Sequence, residues 1–220
     1  MVLTNENIAI QDSEQAAWLL SEKLMVYKNS NAVVGAIPCG GVPIGYHLAT
    51  ILQLPFEIIP CKKIRHPGLH NESIGSVSMD DAVIHEGQNR IPQDYIYHQI
   101  ILLQRSLQSK YKFYKGNKKS VNLKNKDVIL VDDLLQTSDS MLAGLKSIKN
   151  QEPSKIIVAV SLATQNALLQ IEGQADETVI LQTVGDQQTA YTLHTKFPLV
   201  KDEEVRDYIN HFEALTSKRI

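Results

Sequence analysis

The sequence predicts an α/β fold in which helices alternate with the strands of a parallel sheet, interrupted once by a hairpin and a long helix. Three observations lead there. Short, β-branched apolar runs occur at 32–37, 56–61, 127–133, 155–163 and 177–182, with helical or turn-rich segments between them. The runs are apolar throughout rather than alternating, as strands covered on both faces are. The first two are joined by a glycine-rich turn and a helical stretch, a β-turn-α-β unit that implies a parallel crossover.

In order along the chain, Asp12 is placed to cap a first helix with Gln15 at the reciprocal position, and Ala16, Leu19, Leu20 and Leu24 recur at helical spacing. Ala32 to Ile37 reads as a buried strand stopped by Pro38. Cys39-Gly40-Gly41 forms the turn, and the segment from Val42 continues as a helix with Pro43 in its first turn. Phe56 to Cys61 is the second strand. Residues 72–85 alternate in short pieces around Met79-Asp80-Asp81, as a hairpin does. Gln93 to about Tyr114 carries Ile96, Ile100, Leu103 and Leu107 at helical spacing. Asp127 to Asp133 is the clearest strand and ends on two acids; the turn Leu134 to Asp139 leads into a helix. Lys155 to Ala163 and Glu177 to Gln182 are further strands with a helix between them, and a last helix runs from Asp202 to about Leu215. A single domain spanning 1–220 accounts for the pattern, with an insert at about 66–120 and a C-terminal cap at about 183–220.

Composition narrows the function classes. The chain has 220 residues, 43% hydrophobic and 21% charged, and its 22 Lys+Arg against 24 Asp+Glu give a net charge of −2. That excludes a disordered chain and a globally basic nucleic-acid binder. No apolar run approaches the roughly 18–20 residues that span a bilayer. The first residues show no basic segment followed by an apolar core, so a cytoplasmic protein without membrane contact is expected. The two cysteines, Cys39 and Cys61, have neither redox-pair nor zinc-ribbon spacing.

In open parallel sheets the ligand site lies beyond the carboxyl ends of the strands. Three segments meet that condition: Pro38 to Gly41, Cys61 to Arg65, and Asp132 to Ser140. Adjacent carboxylates at 132 and 133 suit the vicinal hydroxyls of a ribose or a hydrated Mg²⁺. Thr137-Ser138-Asp139-Ser140 offers hydroxyls and backbone N–H groups at a helix N-terminus, where an anion is favoured. Capping alone explains that turn, but not two carboxylates at the mouth of a buried strand.

The segment VILVDDLLQTSDS resembles the phosphoribosyl-diphosphate (PRPP) motif of type I phosphoribosyltransferases: an apolar strand, two acids, then a phosphate loop. PCGGVPIG at 38–45 is similar to the Pro-Arg-Gly-Gly-Val-Pro-Val segment of a bacterial family of such proteins. CKKIRHPGLHNESIG at 61–75, YKFYKG before the acidic strand, and FPLVKDEEV at 197–205 match in kind. The resemblance implies a Rossmann-like, type I phosphoribosyltransferase-like parallel sheet with the inserted hairpin-helix and C-terminal cap. It implies transfer of a phosphoribosyl group from PRPP to a nitrogen acceptor such as a nucleobase, with pyrophosphate release and Mg²⁺ present. By resemblance, Asp132 and Asp133 hold the ribose hydroxyls and are the candidate catalytic pair and candidate Mg²⁺ contacts. Thr137, Ser138, Asp139 and Ser140 hold the 5′-phosphate; Cys39, Gly40 and Gly41 hold the pyrophosphate, and Lys63 is a phosphate cation. The expected partner is a phosphorylated small molecule, PRPP or a nucleotide, and a homodimer is left open.

Two residues depart from the family pattern. Both glycines of the phosphate loop are replaced, and one replacement is Asp139. Two like charges about 4 Å apart repel by roughly 4 kcal/mol at an effective dielectric near 20, more than the ~1 kcal/mol of a helix cap. Asp139 is therefore expected to fill the anion position itself and weaken PRPP binding. Cys39 stands where the family has Arg, removing an always-charged partner for pyrophosphate; it is read as a small buried residue rather than a nucleophile. Both departures favour an alternative, a catalytically weakened relative that binds a nucleotide or phosphate ligand as a sensor or partner protein.

Other features have plainer readings. Lys62, Lys63 and Arg65 sit where an anion could bind. His66 and His70 are loop histidines, because Pro67-Gly68 breaks any helix that would align them. Seven lysines and no acids occupy Lys110 to Lys126; a helix C-terminus favours such cations, so nucleic-acid contact is not expected. Trp18 is read as a packing residue, and Tyr191 and Phe197 as aromatic members of the acceptor-binding cap.

Overall fold

The computed structural model describes residues 2–3, 10–69, 72–88, 90–185 and 197–217. Six parallel strands form the main sheet: β1 (Val2–Leu3), β2 (Ala32–Ala36), β3 (Phe56–Ile58), β7 (Asp127–Leu135), β8 (Lys155–Thr164) and β9 (Glu177–Val184), in the order β1-β9-β8-β7-β2-β3. A second sheet is antiparallel, β4 (Cys61–Arg65), β5 (Ser73–Ser78) and β6 (Ala82–Ile84) in sequence order. The helices are α1 (Ser13–Lys23), α2 (Gly41–Leu52), α3 (Gln93–Lys115), α4 (Asp139–Lys149), α5 (Gln165–Ile171) and α6 (Asp202–Ser217).

Helices cover both faces of the main sheet, which is why its strands are apolar throughout. One core joins α1, α2 and α6 to the sheet through Leu20, Ile44, Leu48, Val131, Ala159, Val205 and Phe212. The other joins α4 and α5 through Val128, Leu130, Met141, Leu145, Val158 and Ile171. A smaller cluster of Ile64, Ile74, Val77, Ile96 and Leu107 holds α3 to the antiparallel sheet. That sheet also packs on α4.

The predicted elements are present, with four differences. The segment Phe56 to Cys61 is not one strand. Ile59 N–H still donates to Ala36 O at 2.8 Å, but Pro60 has no N–H to continue the ladder, and Cys61 opens β4 in the other sheet. The basic residues 62, 63 and 65 thus lie on a strand, and the insert begins at Cys61 rather than near 66. The acidic strand runs on to Leu135, so Asp132 and Asp133 lie within β7 and the turn is only 136–138. Trp18 is 52% exposed rather than packed. The edge strand β1, pairing Val2 with Thr178 and Leu3 with Val179, has too short a pattern to be anticipated. The cap on α1 is as read: Asp12 Oδ1 accepts from Gln15 N–H at 2.8 Å, while the Gln15 side chain accepts from Gln11 N–H at 2.7 Å. Tyr191, His70 and residues 186–196 and 218–220 of the expected cap lie outside the described residues.

Candidate functional site

Neighbouring strands β2 and β7 pair from Ala32↔Asp127 to Ala36↔Val131, so the segments following them leave the sheet side by side. The turn after β2 lies directly on β7. A Cβ on Gly40 would sit 2.1 Å from Asp133 Oδ2, and one on Gly41 would sit 2.5 Å from Val131 O. Gly40 has helical dihedrals, so glycine is needed here for close approach and not for a left-handed backbone. The Pro38–Cys39 peptide bond is cis. The Gly41 N–H, one of two amides expected to meet pyrophosphate, already donates to Ile37 O at 3.1 Å.

Asp132 and Asp133 sit where the strands lose regular alternation. Register between β7 and β8 is constant from Asp127↔Lys155 to Leu135↔Ala163. Before the aspartates, Ile129 and Val131 face the α2 side and Val128 and Leu130 the α4 side; after them, Leu134 faces the α2 side and Leu135 the α4 side. Odd and even positions have exchanged faces. The same exchange occurs in β8, where Ala159 and Leu162 share a face. At its centre Ser161 is fully buried and its hydroxyl has no hydrogen-bond partner among the described residues. Asp132 Oδ1 accepts from Asp133 N–H at 3.0 Å, and Asp133 Oδ1 from Leu134 N–H at 2.8 Å. Burial, then the charge of Asp133, push the Asp132 carboxyl well above the usual range. Asp133 is also raised by burial, and a hydrogen bond from Asp132 opposes the rise. The pair therefore tends to share a proton.

Around the turn after β7, Asp139 begins α4 with its side chain only 5% exposed. Its Oδ1 lies 2.7 Å from His85 Nε2, and its Oδ2 lies 3.5 Å from Lys63 Nζ and 3.1 Å from the donating Thr137 hydroxyl. Lys63 also donates to Thr137 Oγ1 at 2.5 Å. Ser138 turns away and donates to Gln170 Oε1 on α5 at 2.7 Å, while Ser140 follows in the first turn of α4. Ser76 of β5 donates to Asp139 O at 2.6 Å, tying the insert to the helix start. A cavity of about 460 Å³ opens beside this cluster, lined by Lys63, Arg65, His85, Thr137 and Asp139 among others.

A family model described as the phosphoribosyl transferase domain matches residues 1–189. The chain belongs to this family. Two curated Mycobacterium tuberculosis relatives, from strains CDC 1551 and H37Rv and provisionally assigned as phosphoribosyl transferases, are each 24% identical over 207 residues. Those matches cover 90% of this chain but 46% of each relative, so the chain spans about half their length. Among solved structures, the Thermus thermophilus protein TT1426 is 26% identical with a TM-score of 0.78, covering 93% of this chain and 99% of that one. A Staphylococcus aureus hypoxanthine phosphoribosyltransferase, 14% identical at a TM-score of 0.50 over 82% of this chain and 79% of that one, shares the fold.

Within this phosphoribosyl transferase domain, Gly40 and Asp133 come together from separate segments, and the turn to α4 follows directly on β7. Lys63 reaches Thr137 from the antiparallel sheet rather than from a loop after the second strand. Cys39 is half-buried, and burial followed by the charge of Asp202 pushes its thiol up, so it is no activated nucleophile. Two contributors were missed. His85 arrives at Asp139 only because the hairpin folds back on α4. Asp202 lies in the matched segment FPLVKDEEV, a signal that could have found it. It takes Lys110 Nζ at 2.8 and 2.7 Å, the Tyr114 hydroxyl at 2.5 Å and, at 3.8 Å, Cys39 Sγ. The lysine-rich segment is extensively paired internally: Lys115 with Glu57, Lys118 with Glu213, Lys124 with Glu152, and Lys126 with the Asn31 side chain. Among the described residues, no helix is long and apolar enough to cross a membrane.

Proposed function

We propose that the chain binds PRPP across β2 and β7 and transfers its phosphoribosyl group to a nitrogen acceptor such as a nucleobase, releasing pyrophosphate in the cytoplasm. The observation that carries the reading is the Gly40 backbone laid against the Asp133 carboxylate, which puts a phosphate-type turn beside a buried acid and a half-buried one. In this reading Asp132 and Asp133 orient the ribose hydroxyls. Thr137 and Ser140 face the 5′-phosphate with Lys63 as its cation, while the Ser138 hydroxyl is taken by Gln170. Cys39, Gly40 and Gly41 border the pyrophosphate. Such a site works by positioning and electrostatic support rather than by covalent chemistry.

Magnesium fits these residues. Mg²⁺ is commonly held by one or two carboxylates together with substrate phosphates. Burial drives the Asp132 and Asp133 carboxyls toward protonation, a tendency a cation would reverse. When bound, it would neutralise charge on the leaving pyrophosphate.

The position of Asp139 favours a second reading, the weakened relative that binds a nucleotide or phosphate ligand as a sensor or partner. Its carboxylate occupies Lys63, His85 and Thr137, the partners a 5′-phosphate would need. Calorimetry with PRPP and Mg²⁺ separates the two. Under the first reading the unmodified chain binds at micromolar Kd, and pyrophosphate appears when a matching nucleobase is added. Under the second it binds weakly or not at all, and Asp139→Asn tightens binding, up to about a thousandfold if the full ~4 kcal/mol of repulsion is relieved. No binding by either protein would refute PRPP as the ligand.

A further inference from the structure

The turn assigned to pyrophosphate carries no cation of its own. Position 39 is a cysteine, Gly40 lies on the Asp133 carboxylate, and Asp132 follows closely behind. A diphosphate brought to that turn meets negative charge and needs a positive partner from elsewhere in the chain. Lys110 is in place to serve. It projects from α3 to Asp202 at the start of α6, with Nζ 2.7 and 2.8 Å from the carboxylate oxygens. The same carboxylate lies 3.8 Å from Cys39 Sγ, so the ammonium is held one group away from the turn. The side chains of Lys110 and Asp202 are 37% and 35% exposed, within reach of a ligand. Lys115, by contrast, is sealed against Glu57, and Lys118 and Lys124 pair with acids other than Asp202.

We propose that Lys110 is the pyrophosphate-binding cation of this site, parked beside the Gly40–Gly41 turn by Asp202 and handed to the ligand when a diphosphate arrives. The inference rests on the reading of that turn as a diphosphate cradle. Transfer does not strand Asp202, because the Tyr114 hydroxyl donates to it at 2.5 Å and remains when the ammonium leaves. Asp202 is then a competitor for Lys110, so removing its charge and removing the lysine have opposite effects on ligand binding. A merely structural ion pair gives both changes the same sign.

The test is titration calorimetry with magnesium pyrophosphate on the full chain, with a thermal melt of each variant. Lys110→Ala weakens binding about 10- to 100-fold, the loss of one charge-assisted hydrogen bond, and Lys110→Arg stays within about threefold because it keeps the charge. Asp202→Asn tightens binding about three- to tenfold by freeing the ammonium while still accepting from Tyr114. Lys118→Ala, whose lysine pairs with Glu213 instead, leaves the affinity unchanged. Wild-type affinity in Lys110→Ala overturns the proposal, and so does equal weakening by Lys110→Ala and Asp202→Asn. If the unmodified chain binds no pyrophosphate, the reading of the turn itself fails, a result distinct from either.

Discussion

At the scale of single residues, the acidic pair shows how a site opposes its own fold. Asp132 is buried beside a second carboxyl, so its proton is held more tightly in the folded chain than in the unfolded one. An acid with a raised folded pKa adds nothing below the ordinary aspartate range, where both states are protonated. It then lowers stability as pH rises from that range through the folded value, and the loss persists above it. Asp132→Asn keeps the shape and can still donate to Asp133. We therefore expect its Tm to match wild type near pH 3 and to exceed it at pH 7–8, measured by thermal melts across pH. A variant less stable than wild type at pH 8 would contradict the assignment. The acids were legible in the sequence because two charged residues ending a buried apolar run violate a local rule. His85 was not, because nothing within its own segment distinguishes it; it reaches Asp139 through tertiary pairing.

Single elements were legible where the pattern is local. The helices follow periodicity and caps, and β7 and β8 follow from apolar length. The misread element was Phe56 to Cys61, where one proline divides an apolar run between two sheets. The edge strand β3 left behind is anchored by an unusual side chain. Glu57, 4% exposed, accepts from Ile58 N–H at 2.8 Å, Val121 N–H at 2.6 Å and the Tyr111 hydroxyl at 3.2 Å, and pairs with Lys115 at 3.3 Å. This one carboxylate fastens the end of α3 and the returning chain to the sheet. Removing one partner of such a buried pair costs about 3–5 kcal/mol, whereas replacing both by neutral groups costs far less. Lys115→Met is accordingly expected to lose about that much stability in urea denaturation, and the double variant Glu57→Gln/Lys115→Met to recover most of it. Additive losses in the double variant would count against the pair.

For the molecule as a whole, the two sheets differ in how deeply they are held. The parallel sheet is covered on both faces by large clusters, while the antiparallel sheet rests on a small one and is stitched to α4 by polar contacts. These include Ser76 to Asp139 O, Lys146 to Asp81 and Ser147 to Asp80. Stability is unevenly distributed in such an arrangement. In native-state hydrogen exchange, amides of β7 and β8 should exchange only through global unfolding, and those of β4 to β6 through a smaller opening with a lower free energy. Equal protection in both sheets would show one cooperative unit instead. The main sheet was legible because its strands are unbroken apolar runs separated by helices. The attachment of the insert was not, since single polar contacts between distant segments leave no periodic trace.

The contact between Gly40 and Asp133 has a consequence for how this chain can change over generations. A methyl group at position 40 would coincide with the carboxylate at 133, so position 40 cannot gain a side chain unless that carboxylate moves. A descendant that gains any side chain at 40 must move or discard the acid at 133, and with it the proposed sugar contact. While aspartate stands at 133 in this position, glycine is the residue that position 40 admits.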